Sequence, residues 1–147
     1  MNNITRAINR NADQDWNYSW KLTLSSELVR FVNVPAPGRF QNSWLTIDPV
    51  DRKRTEIRVA AGYSWDGCSI VPDAPGTHDA SCIHDAIYQF GERIACAWNC
   101  DFSDVRAIAD KSFSQIMRQD RCPVRGMYYA GVRLFGGAFH WLAKQFD

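Results

Sequence analysis

Two neighbouring runs constrain this chain more than anything else in it: Trp65-Asp66-Gly67-Cys68-Ser69-Ile70-Val71-Pro72-Asp73-Ala74-Pro75 and Ser81-Cys82-Ile83-His84-Asp85-Ala86-Ile87-Tyr88. Proline fixes φ and lacks an N–H, so Pro72 and Pro75, together with Gly67, exclude regular structure before about residue 77. Ala80 to Phe90 has the composition and spacing of a helix. A rigid loop therefore leads into a helix, and the acids, the histidine and the cysteines meet at their junction.

At about 100° per residue, Ile83, Ala86, Ile87 and Phe90 share one helical face, while His84 and Tyr88, four apart, lie together along its edge. Asp85 points roughly a quarter-turn from His84. Two adjacent ionisable residues aimed at different partners suit a division of labour: His84 handles protons, and Asp85 handles something positive that the Asp66 loop also reaches. A hard cation that prefers oxygen fits that description. Cys68 and Cys82, with thirteen residues between them, would tie the loop to the helix, a closure worth ~3 kcal/mol in the chain-entropy picture.

The 147 residues suit one domain with a single sizeable core. The formal charge is +1, from 17 basic and 16 acidic residues with no long single-sign run, so the electrostatic footprint of a nucleic-acid binder is missing. No apolar run reaches the ~18 residues of a membrane span. The first fifteen residues, rich in Asn and carrying Arg6, Arg10, Asp13 and Asp15, lack the apolar core of a secretory signal. Five cysteines leave the redox compartment open.

Ahead of the loop, Trp16, Tyr18, Trp20, Leu22 and Leu24 alternate with polar residues as a half-buried strand. Ser25-Ser26 is expected to turn the chain into a second extended run over 28–34. A third holds Trp44, Leu45 and Ile47, and a fourth alternates Thr55, Ile57 and Val59 against Glu56 and Arg58, with 49–54 as the hairpin loop between them. The expected architecture is α+β: a small antiparallel sheet over 16–61, then a helical part from 62, in one domain spanning 1–147. After Gly91 the segment 92–101 is short and mixed. Ser103 offers an N-cap for a helix running to about Asp120, with Val105, Ile108, Ala109, Phe113, Ile116 and Met117 buried and Asp110 at the edge of that stripe. A salt bridge from Asp110 to Arg106, one turn earlier, is the plain structural reading of that acid. Pro123 suits the first turn of a last, aromatic-rich helix over 124–144, in which Arg133 and the glycines argue against a membrane span.

Residues 62 to about 137 resemble the small prokaryotic members of the secreted phospholipase A2 superfamily. The resemblance rests on Asp66, Cys68, Pro72-Asp73-Ala74-Pro75, Cys82-Ile83-His84-Asp85-Ala86-Ile87-Tyr88, Asp110-Lys111-Ser112-Phe113, Tyr128-Tyr129 and Phe135-Gly136, in that order. The whole chain, including the leading strands, is also similar to a phage-borne family of small uncharacterised proteins. That family has a Gly-aromatic-x-x-Asp-Gly-x-Ser-x-x-Pro loop, a His-Asp-x-x-Tyr helix and an Ala-Asp-x-x-Phe helix. The strands before residue 62 and the short loop between Pro75 and Cys82 depart from the phospholipase pattern.

The resemblance implies a phospholipase A2-like three-helix core with a cation-binding loop. It implies His84 as the general base that takes a proton from water, Asp110 holding the other ring nitrogen, and Tyr88 supporting Asp110. It implies calcium held by the carboxylates of Asp66 and Asp85 and the carbonyl of Gly67, polarising an ester carbonyl. It also favours a Cys68–Cys82 disulfide. The implied reaction is hydrolysis of the sn-2 acyl ester of phospholipids at a membrane surface. A phage virion or the host cell is the implied location, and phage structural proteins are candidate partners.

Two other readings compete. His78-Asp79 and His84-Asp85 suggest a metal-dependent phosphohydrolase of the HD type, but six residues separate histidines that such a site needs far apart. A virion or tail component that keeps the fold without turnover is the stronger rival, because a fold does not by itself imply an activity. Cys96 and Cys100 have no second ligand pair at zinc-binding spacing and read as loop cysteines.

Overall fold

Thr55, Ile57 and Val59 alternate with Glu56 and Arg58, and in the computed structural model of the chain this run is a strand with the first set buried and the second not. The structure describes residues 22–65 and 77–122, the backbone of residues 4 and 5, and Arg133. It is α+β and divides into two compact units, Met1–Gly67 and Cys68–Asp147.

The first unit contains β1 (Ile4–Thr5), β2 (Leu22–Leu24), β3 (Leu28–Val32), β4 (Phe40–Gln41), β5 (Leu45–Pro49), β6 (Thr55–Val59) and β7 (Ser64–Trp65). All pairings are antiparallel, as expected, but the described strands form two sheets rather than one: β1-β2-β7 and β3-β6-β5-β4. The Ser25-Ser26 bend does not fold β2 back onto β3. Instead β2 pairs with β7 and β3 with β6 in one common register, so residues 25–27 lie opposite residues 60–62.

The second interruption is a tight turn in which the Ala60 carbonyl accepts from the Tyr63 N–H at 3.3 Å. Gly62 sits at φ +90° in its third position, a conformation that side chains disfavour. The Leu24 carbonyl accepts from the Gly62 N–H at 2.8 Å, and the Leu24 N–H donates to the Tyr63 carbonyl at 2.9 Å. The kink thus keeps its backbone groups paired.

β2 is buried on both faces rather than half-buried, and Thr23 is tolerated there because its hydroxyl hydrogen-bonds the Ser64 hydroxyl at 2.8 Å. Trp16, Tyr18 and Trp20 lie outside the described residues. The β5–β6 hairpin does form. In its loop the Asp51 carboxylate accepts from the Lys53 and Arg54 N–H groups, each at 2.8 Å. β4 was not foreseen: its two residues pair with β5 through Phe40–Ile47 and Gln41–Thr46, too short a run to show a period. Leu45, Ile47, Ile57 and Val59 form the fully buried inner row of this sheet.

The second unit holds α1 (His78–Gln89), α2 (Gly91–Trp98) and α3 (Phe102–Gln119), with α1 and α2 both packed against α3. Ile83, Ala86, Ile87 and Phe90 face inward as their spacing requires, against Val105, Ala109, Phe113, Ile116 and Met117. Full burial of a large aliphatic side chain such as Ile83, Ile87 or Ile116 contributes about 1.5–3 kcal/mol. Ile108 is only half-buried.

α2 replaces the expected mixed segment. It closes at Asn99, which adopts the left-handed conformation (φ 51°) that asparagine tolerates, while the Cys100 N–H returns to the Ala95 carbonyl at 3.0 Å. The N-cap of α3 is Asp101 rather than Ser103, and the Asp104 carboxylate accepts from the Asp101 N–H at 3.3 Å. The last helix over 124–144 falls outside the described residues except for Arg133, which is helical. No helix among the described residues is long and apolar enough to cross a membrane.

Candidate active site

The packing of α1 on α3 brings together residues 26 apart in sequence. His84 points from α1 toward α3, where its Nε2 lies 2.8 Å from Oδ1 of Asp110. Asp110 is fully buried, and His84 is exposed only at its rim. The Tyr88 hydroxyl, one turn along α1 from His84, donates to the same Oδ1 at 3.1 Å. The imidazole stands between two rings: Tyr88, with centroids 4.3 Å apart, and the edge of Phe113 at 5.3 Å. These contacts leave the ring little freedom to rotate.

A buried carboxylate is strongly disfavoured unless its oxygens are satisfied, and here both are. Oδ2 accepts from Nη1 of Arg133 at 3.0 Å. Arg106 Nε is 3.8 Å from Oδ2 but donates to the Tyr88 hydroxyl at 3.0 Å, so its hydrogen bond goes to the phenol rather than to Asp110. A second nitrogen of Arg106 donates to the Arg133 carbonyl. Asp110 is therefore a buried acid rather than a surface one, and Arg106 is its more distant ion-pair partner, without a direct hydrogen bond to it. Nothing in local spacing reveals Arg133 as its partner, 23 residues away; the available signal is an arginine in the middle of an aromatic-rich segment.

With Nε2 bound to Asp110, the other ring nitrogen is the one available for chemistry. Nδ1 lies 3.7 Å from Oδ1 of Asp85, a half-buried carboxylate. Burial pulls the His84 pKa down, but the hydrogen bonds and charges of Asp110 and Asp85 outweigh it, and the net shift is upward. Burial pushes the Tyr88 phenol well up, reinforced by the charge of Asp110, so it stays protonated and able to donate.

Of the three expected cation ligands only Asp85 is among the described residues; Asp66 and Gly67 lie outside them. No group of three His, Cys, Asp or Glu residues able to hold a metal forms among the described residues. Cys82 is a free thiol, fully buried, so the bridge to Cys68 is not formed in this structure; Cys68 itself lies outside the described residues. Burial pushes the Cys82 thiol well above its ordinary pKa, and the charges of Asp85 and Asp79 add to the effect. Cys96 and Cys100 are also free, on the exposed side of α2 and just beyond its end.

Comparison of the chain with protein-family models, with curated proteins and with solved structures gave no match in any of the three.

Proposed function

We propose that this chain is a phage-associated, calcium-dependent, phospholipase A2-like esterase that hydrolyses the sn-2 acyl ester of phospholipids. The observation that carries the reading is the bond from His84 Nε2 to the buried carboxylate of Asp110 at 2.8 Å, which leaves Nδ1, the nitrogen on the Asp85 side, to act as the base. The motif order from Asp66 to Phe135-Gly136 supplies the substrate class by resemblance, and the similarity of the whole chain to a phage-borne family supplies the association.

His84 Nδ1 takes a proton from water, and the resulting hydroxide adds to the acyl carbon. When the bond from that carbon to the glycerol oxygen breaks, the imidazolium returns its proton to the leaving alkoxide. The products are a free fatty acid and a lysophospholipid. Asp110 holds the ring in the tautomer that leaves Nδ1 unprotonated and offsets the charge of the imidazolium. Asp66, Gly67 and Asp85 would hold calcium, which when bound supplies polarisation of the ester carbonyl and stabilisation of the oxyanion.

The test is fatty-acid release from mixed phospholipid vesicles by the purified full chain, with calcium or with chelator. Release that needs calcium and is lost in His84→Gln is the expected result. A folded protein that releases no fatty acid with calcium present sinks the reading and returns the chain to a virion or tail component without turnover.

A further inference from the structure

Asp110, Tyr88, Arg106 and Arg133 form a closed ring of hydrogen bonds, and its directions are forced. A guanidinium has donors and no acceptor. Arg106 Nε must therefore donate to the Tyr88 oxygen at 3.0 Å, which leaves the Tyr88 proton for Oδ1 of Asp110 at 3.1 Å. Arg106 also donates to the Arg133 carbonyl, and Arg133 Nη1 closes the ring on Oδ2 of Asp110 at 3.0 Å. Oδ2 faces Arg133, and Oδ1 faces His84 and Tyr88. A carboxylate held at both ends cannot turn about its last torsion without giving up a charge-assisted bond.

We infer that Arg133 is a positioning residue for His84: it clamps Oδ2 of Asp110 so that Oδ1 stays aligned with His84 Nε2, and Arg106 fixes Tyr88 as a donor in support. Arg133 does not touch His84 in any described contact and acts through Asp110. The role differs from charge balance alone. Arg106 already places a guanidinium nitrogen 3.8 Å from Oδ2, so a cation remains nearby when Arg133 is lost, whereas the directed bond does not. The inference rests on the hydrolase reading only where it concerns rate; the alignment of Asp110 with His84 is a property of the folded chain in either case.

The experiment uses the full chain with Arg133→Gln and Arg133→Lys, and reads two quantities. The first is the low-field proton resonance of the His84 Nε2–H bonded to Asp110, identified by its disappearance in Asp110→Asn. The second is kcat and KM on a short-chain phospholipid below its micelle concentration, with calcium. Arg133→Gln is expected to shift or broaden the resonance and to lower kcat by about tenfold or more with KM changed less than about twofold, as for a misaligned catalytic group. Arg133→Lys, which keeps one charged donor, is expected to recover part of both. An Arg133→Gln protein with an unmoved resonance overturns the inference; if that variant does not fold, Arg133→Met, which also removes the charged donor, takes its place, and an unmoved resonance there overturns it. Wild-type protein without turnover refutes the hydrolase and leaves the resonance to decide the clamp.

Discussion

Gly91 has no side chain because the ring of Phe102 occupies the place of one: a Cβ built on Gly91 would meet Phe102 Cδ2 at 2.8 Å and Cε2 closer still. The close approach joins the start of α2 to the start of α3, and the same Phe102 ring stands edge-on to Tyr88 with centroids 5.8 Å apart. Alanine is favoured over glycine inside a helix by about 1 kcal/mol, but forcing a methyl against a rigid ring costs about 1–3 kcal/mol. Gly91→Ala should therefore destabilise in urea unfolding, and Gly91→Ala combined with Phe102→Leu should recover much of the loss. Unfolding of Gly91→Ala at or beyond the wild-type midpoint would contradict this.

Asp110→Asn keeps the shape of the side chain and removes its charge. Turnover should drop by about 10²–10⁴, the range expected when a general base loses its support. Calcium affinity should hardly change, because no proposed ligand is altered. Stability should fall by about 1–3 kcal/mol, since Arg133 and His84 lose a charged acceptor. Steady-state rates, calcium titration and urea melts on one preparation check all three, and wild-type turnover in Asp110→Asn would remove it from the mechanism.

Asp85→Asn should act differently, losing calcium binding and turnover together, while His84→Gln loses turnover and keeps calcium. Calorimetric titration measures this directly. If the wild type gives no heat and no rise in Tm at millimolar calcium, the proposed cation site does not exist.

The upward shift of His84 also ties stability to pH. A histidine whose folded pKa lies above its unfolded value of about 6.5 contributes stability that is fully present below that unfolded value and is lost as pH rises through the folded one. In chelator, the stability deficit of His84→Gln should therefore be largest below the unfolded pKa of about 6.5 and shrink as pH rises above it. Urea melts on both sides of that value decide it, and a deficit that is constant or grows with pH is the contrary outcome.

Cys82 should resist alkylation in the folded protein, being fully buried with its thiol held protonated, whereas the exposed Cys96 should react. Brief iodoacetamide treatment at neutral pH, followed by mass spectrometry of the peptides, separates the two. Modification of Cys82 before unfolding would show that the helix opens locally; a Cys82 that stays unmodified even in denaturant without reductant would show a disulfide after all.

Much of the site was legible because it is local. The four-residue spacing of His84 and Tyr88 put their rings side by side, and the 2-residue period of 55–59 gave β6 with its ends. The partners of Asp110 were not local. Helical spacing put it at the edge of a stripe, but whether it faces His84, Arg106 or Arg133 depends on how α3 packs, which no short window encodes. α2 was hidden because Ile94 and Ala95 are too few buried positions to set a period and a glycine starts it. The Asp101 cap carried its signal in Asp104, three residues on, yet the serine between them is as good a cap by residue type. The two-sheet arrangement depends on pairings across about forty residues, beyond the reach of alternation.

The kink in the first unit has a consequence for how this chain can change over time. Three residues on one strand run, 25–27, are matched by three on the other, 60–62, and only that equality lets Leu22 meet Trp65 in the register in which Leu28 meets Val59. Side chains alternate between faces with a period of two, so an insertion of one residue on either side would turn the fully buried Trp65 to the opposite face. A lengthening at Ser25 is tolerable only alongside a compensating one near Gly62. The two bends should therefore gain or lose residues together, although more than thirty positions of sequence separate them.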